Sequence, residues 1–124
     1  MSSLSKNPPT KISRLLKAIS QPSRLKILLA IGSGEACVCH LEAALDQRQV
    51  YISQQLIALR KAGLVTDRRD GRFIFYRLSD PSLIDLVHQA ARIAGVSEEE
   101  LKANTPALIL FDCACPNCAV SMKG

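Results

Sequence analysis

The 124-residue sequence has no Trp and few other aromatics, two Tyr and three Phe, so its core must be aliphatic and points to packed helices. No apolar run reaches about 18 residues, which excludes a membrane-spanning helix. The opening Met-Ser-Ser-Leu-Ser-Lys lacks the apolar stretch of an export signal and predicts a cytoplasmic chain. Internal repeats and low-complexity segments are missing as well. A cysteine framework is also missing: the count is odd, at five, and the 73 residues between Cys39 and Cys113 contain none. That argues against disulfide scaffolding and for thiols that do chemistry.

What is present is an ordinary globular composition with an uneven charge. Apolar residues make up 48%, which excludes a disordered basic tail, and the formal net charge is +5. Residues 48–77 carry Arg48, Arg60, Lys61, Arg68, Arg69, Arg72 and Arg77 against Asp67 and Asp70, so this segment alone equals the whole excess. A basic block inside a structured region suits a polyanion. The cysteines fall into two clusters, Cys37-Val38-Cys39 and Cys113-Ala114-Cys115-Pro116-Asn117-Cys118.

The pattern predicts three parts: a disordered arm over 1–10, a folded domain over 11–104 and a Cys-rich tail over 105–124. Ile12, Leu15, Leu16 and Ile19 recur at helical spacing. Ser20 then offers an N-cap, with Pro22 in the first turn of a second helix that runs to Gly32-Ser33-Gly34. A short helix fits His40–Leu45, and a longer one fits 50–62, stopped by Gly63. Ile52, Leu56 and Leu59 share one face of the longer helix, while Gln54, Ile57 and Lys61 point away from it. Two β-rich stretches, 64–66 and 73–78, flank Asp70-Gly71, a strong hairpin signal. Pro81 opens an apolar helix that ends at Gly95, and Ser97 with Glu100 forms a capping box before a last short helix.

This order predicts a mainly α fold with a small β-hairpin: a winged helix-turn-helix. In that arrangement the longer helix enters the major groove and the hairpin wing crosses the backbone. Gln54 suits bidentate recognition of adenine, while Tyr51, Ser53 and Lys61 suit phosphate or sugar contacts. Arg69 and Arg72 at the hairpin tip suit phosphates.

The chain resembles the ArsR/SmtB metalloregulators. The resemblance is carried by Gln21-Pro22-Ser23-Arg24-Leu25-Lys26-Ile27-Leu28, Cys37-Val38-Cys39-His40-Leu41 and Ile52-Ser53-Gln54-Gln55-Leu56, continued by Ala62-Gly63-Leu64-Val65, Gly71-Arg72 and Tyr76-Arg77-Leu78. It spans about residues 11–95. It implies a homodimeric repressor that leaves double-stranded operator DNA when an inducer binds, with dimerisation through residues 11–19 and 81–94. Gln55 stands where the family commonly has His, which puts base preference in doubt while keeping this position among the DNA-facing residues.

Within the resemblance, Cys37-Val38-Cys39 matches a thiolate motif for arsenite, antimonite, cadmium or lead. Two residues apart on a regular helix, the thiols would diverge by about 200°, so one ion can hold both only where the chain is non-helical, as at a helix start. The arsenic version has a third cysteine three residues on, where this chain has Glu42. Soft trivalent arsenic wants three thiolates, so Cys113, Cys115 or Cys118 is the natural supplier of the missing ligand. As(III) or Sb(III) is the expected inducer, with Cd(II), Pb(II) and Zn(II) as further candidates. The same thiols could instead sense oxidants or persulfides through a disulfide.

Other candidates are weaker. Asp85 and His88 sit three apart on the expected dimer helix, where some relatives hold zinc, but no second His follows. His40 fits a surface or capping position. A thiol enzyme is disfavoured because the Cys-x-x-Cys spacing occurs only in the tail, outside any βαβ context.

Overall fold

In a computed structural model the described residues are 7–103, so Cys113, Cys115 and Cys118 lie outside them. Proline starts both of the first two helices. Helix α1 spans Pro8–Ile19 behind an extended Asn7, and α2 spans Pro22–Ile31 behind an extended Gln21. The first N–H groups of a helix have no intrahelical acceptor, so a proline there loses nothing and its φ is already helical. Residues 8–10, expected within a disordered arm, are therefore helical. Ser20 also differs from expectation. Its N–H and its hydroxyl both donate to the Lys17 carbonyl, at 3.3 and 3.0 Å, so it closes α1 rather than opening α2.

A two-residue strand β1, Ala36–Cys37, leads directly into α3, Val38–Leu45, which begins two residues before the expected His40. Asp46 ends α3 in the left-handed conformation, with φ 52°, and the chain turns into α4, Gln49–Lys61. Gly63, with φ 78°, closes α4 as expected: its N–H donates to the Arg60 carbonyl and that of Leu64 donates to Leu59, both at 2.9 Å. This paired closure needs a positive φ at one position, which glycine adopts freely.

Strands β2, Val65–Asp70, and β3, Phe73–Leu78, form the hairpin, and β1 adds to its other side to give the order β1-β3-β2, antiparallel throughout. Asp70 pairs with Phe73, so the two-residue turn is Gly71-Arg72, one position later than a turn centred on Asp70-Gly71. Gly71 takes φ 62° while Arg72 stays negative, the pattern of a II′ turn. Helix α5, Ser82–Ile93, and the short α6, Glu98–Ala103, complete the described chain. Hydrogen bonds from the Ser82 hydroxyl and N–H hold the Asp80 carboxyl below its usual value at the start of α5. The Ser97 hydroxyl accepts from the Glu100 N–H, as the capping box requires.

The main core gathers Ile27, Leu28 and Ile31 of α2, Leu41 of α3 and Ile52, Leu56 and Leu59 of α4, all fully excluded from solvent. Val65, Tyr76, Leu78 and Leu83 border it. The architecture is the expected winged helix-turn-helix. By contrast α1 and α5 leave Ile12, Leu16 and Ile93 exposed, the last by 88%. Among the described residues no helix is long and apolar enough to cross a membrane.

Candidate nucleic-acid interface and thiolate site

Burial of Ile52, Leu56 and Leu59 fixes the rotation of α4 and turns Gln54, Ile57 and Lys61 outward. Ser53 is half-buried beside them. The other two expected contact residues have inward commitments. The Tyr51 hydroxyl donates to Ser23 Oγ at 2.8 Å, and Gln55 Oε1 accepts from Arg24 Nε at 2.9 Å. Arg24 also donates to the Ala18 carbonyl at 3.0 Å, so one guanidinium ties the end of α1 to α4. Sequence reading missed this role of Arg24, because its partner is 31 positions away and no local pattern marks it.

The wing carries Arg69 and Arg72 exposed near its tip, with the Arg72 guanidinium 5.9 Å from the centre of the Phe73 ring. Arg68 behaves differently from its neighbours. It forks onto both oxygens of Glu35, at 2.7 and 2.8 Å, and lies 4.6 Å over the Phe75 ring. The hydrogen bonds to Glu35 raise its pKa above the ordinary arginine value. Arg60, at the end of α4, meets Asp67 of β2 at 3.3 Å. Burial pushes the Tyr76 phenol up, and the nearby Asp67 charge adds to that.

The thiols meet the condition set by their spacing. Cys37 is extended, with φ −85° and ψ 164°, and stands as the N-cap of α3, so the pair straddles the helix start rather than lying along a helix. Its Sγ accepts from the His40 N–H at 3.2 Å and lies 2.7 Å from Cys39 Sγ. Among the described residues neither cysteine forms a disulfide bond. Cys37 is buried against Phe75, whereas Cys39 is half-buried and forms part of the wall of a cavity of about 520 Å³ with Glu42, Asp46 and Arg48. His40 is buried rather than at the surface, and the capping there is done by Cys37. Two soft donors thus converge at a place open to solvent on one side. Among the described residues no group of three or more His, Cys, Asp or Glu side chains is placed to hold a metal ion. Asp85 is exposed and His88 half-buried on α5, and they belong to no such group. The donor set here fits two of the three sulfurs of a three-thiolate site.

Comparisons with known proteins place the fold in a family. Residues 21–67 match the family described as "Bacterial regulatory protein, arsR family". The chain is 41% identical over 92 residues to the biofilm growth-associated repressor of Agrobacterium fabrum, covering 74% of this chain and 79% of that protein. It is 46% identical over 67 residues to the arsenical resistance operon repressor of Escherichia coli, covering 53% and 57% respectively. Among solved structures, a homodimeric winged helix-turn-helix DNA-binding domain from Mycobacterium bovis superposes with a TM-score of 0.62 at 29% identity, covering 68% of this chain and 79% of that one. The outward face of α4, the basic wing and these matches together establish a DNA-binding transcriptional repressor: the chain belongs to the ArsR family of bacterial regulatory proteins.

Proposed function

We propose that this repressor binds operator DNA as a homodimer and releases it when a thiophilic ion engages Cys37 and Cys39. As(III) or Sb(III) is the first choice, and Cd(II), Pb(II) or Zn(II) follows. The observation that carries this reading is the convergence of the two sulfurs at the start of α3, the helix that directly precedes the recognition helix α4. An inducer ion supplies strong metal–thiolate bonds, and at least one sulfur from Cys113, Cys115 or Cys118 of the tail over 105–124 would have to complete a three-thiolate set. The exposed Ile12, Leu16 and Ile93 supply an apolar surface for a second copy.

On the DNA, Gln54 reads a base edge, and Ser53, Lys61, Arg69 and Arg72 meet phosphate or sugar. Tyr51 and Gln55 act by holding the helix at its angle through Ser23 and Arg24. A gel-shift titration with arsenite, antimonite, cadmium and lead tests the switch. The wild-type complex should dissociate, Cys37→Ser should stay bound, and a truncation before Cys113 should need far more ion. If all four ions leave the wild-type complex intact, the ion reading fails.

One observation favours a second reading. The two Sγ atoms are neighbours across the start of α3, and adjacent thiols also suit direct oxidation to a disulfide. Hydrogen peroxide would take two electrons and two protons from the thiols, leaving a Cys37–Cys39 disulfide and water. Release by peroxide but by no ion would select this chemistry.

A further inference from the structure

The thiols and the wing share one cross-strand row. β1 sets Cys37 opposite Phe75, and β2 sets Arg68 opposite the same Phe75. Directly paired residues place their side chains on one face of a sheet, so Cys37, Phe75 and Arg68 stand side by side. The contacts agree: Phe75 is buried against Cys37, and the Arg68 guanidinium covers the ring. Glu35, two residues before Cys37, receives the Arg68 fork. The result is a closed ring of contacts that runs from Glu35 along the chain to Cys37, across to Phe75, on to Arg68 and back. No side chain of α4 belongs to it.

We propose that the Glu35–Arg68 pair is a latch that carries a chemical change at Cys37 to the wing, so that inducer binding weakens the wing's hold on DNA before it disturbs α4. The inference rests on the thiol-switch reading above. Its physical basis is the lack of slack at each contact. β1 has only two paired residues, and the Cys37 sulfur already caps α3 and faces Cys39. A new bond at that sulfur must turn its side chain or shift the strand. Phe75 is 1% exposed and close-packed, so it moves with Cys37 or leaves a void. Arg68 then loses its seat. A guanidinium fork has rigid geometry, so it cannot keep both oxygens of Glu35 while following a displaced ring. Arg69 and Arg72 lie just beyond Arg68 on the same hairpin. Glu35 and Arg68 are therefore positioning residues.

The test uses the full chain and labelled operator, with cadmium, arsenite and hydrogen peroxide as probes. Loading is followed separately by thiolate-to-metal absorption or thiol titration. Glu35→Gln should load like wild type, melt like wild type and bind operator in the unloaded state within about twofold. Its loss of operator affinity on loading should shrink about tenfold relative to wild type. The exchanged pair, Glu35→Arg with Arg68→Glu, should recover part of that coupling. A full wild-type response in Glu35→Gln overturns the latch. Coupling between sites is reciprocal, so operator should also change the rate at which N-ethylmaleimide alkylates the Cys37–Cys39 pair in wild type, and not in Glu35→Gln. If no probe releases wild-type protein, the thiol-switch reading falls, and the alkylation rates still decide the latch. An operator-dependent rate lost in Glu35→Gln supports it, and equal rates with and without operator in both proteins overturn it.

Discussion

The recognition helix and the wing are both basic, yet the molecule holds them in opposite ways. Helix α4 is anchored by three fully buried aliphatics, by two side-chain hydrogen bonds to α2 and by a paired backbone closure at Gly63. In β2 only Val65 of six residues is buried. β3 seats the wing through Phe75, Tyr76 and Leu78, and β2 adds two solvent-exposed ion pairs, Arg68 with Glu35 and Arg60 with Asp67. Parts that must move in regulation are drawn from regions of low local stability, whereas parts that read bases need a fixed angle. The contrast fits the proposed division of roles, with reading by the helix and adjustment by the wing.

Truncation should expose that contrast most strongly. Leu56→Ala, in the core under α4, is expected to cost about 2–5 kcal/mol in urea unfolding. Ile74→Ala, half-buried on β3, should cost less than about 2 kcal/mol. Equal losses would break the comparison. On DNA the two regions should differ in kind. Gln54→Ala should weaken discrimination at one base pair by about 1–3 kcal/mol. Arg72→Ala should weaken binding to all sequences alike and lower the salt-dependence slope by about 1. Competition assays on single-base operator variants at several salt concentrations separate these outcomes. The smallest effect is expected where the regions touch. Asp67→Asn removes an exposed ion pair and should change the unfolding free energy by less than about 1 kcal/mol, checked by the same denaturation.

The helices, the hairpin and the basic face were legible because each follows from periodicity, a capping residue or a charge run within one segment. So was the need for a helix start at Cys37 and Cys39, since spacing alone forbids their convergence elsewhere on a helix. The rest depends on residues far apart in the chain. β1 is two residues long and has no signature of its own; it exists because Ala36 and Cys37 meet Tyr76 and Phe75. Glu35 and Arg68 are 33 positions apart, and Arg24 and Gln55 are 31 apart, so their pairing could not be read from either segment. The hairpin register slipped by one position because Asp-Gly and Gly-Arg can both occupy the centre of a two-residue turn, and strand pairing decides between them. His40 is buried because α3 starts early, which turns that position toward the interior.

The capping role of Cys37 has an evolutionary consequence. Serine is among the preferred residues at a helix N-cap, and its oxygen can accept the His40 N–H as the sulfur does. A cysteine-to-serine exchange at this position therefore keeps the frame of α3 while removing the soft donor. Under the proposed thiol switch, regulated and permanently silencing forms of this repressor are one substitution apart, and a lineage that no longer meets the inducer can drift from one to the other without passing through an unfolded intermediate.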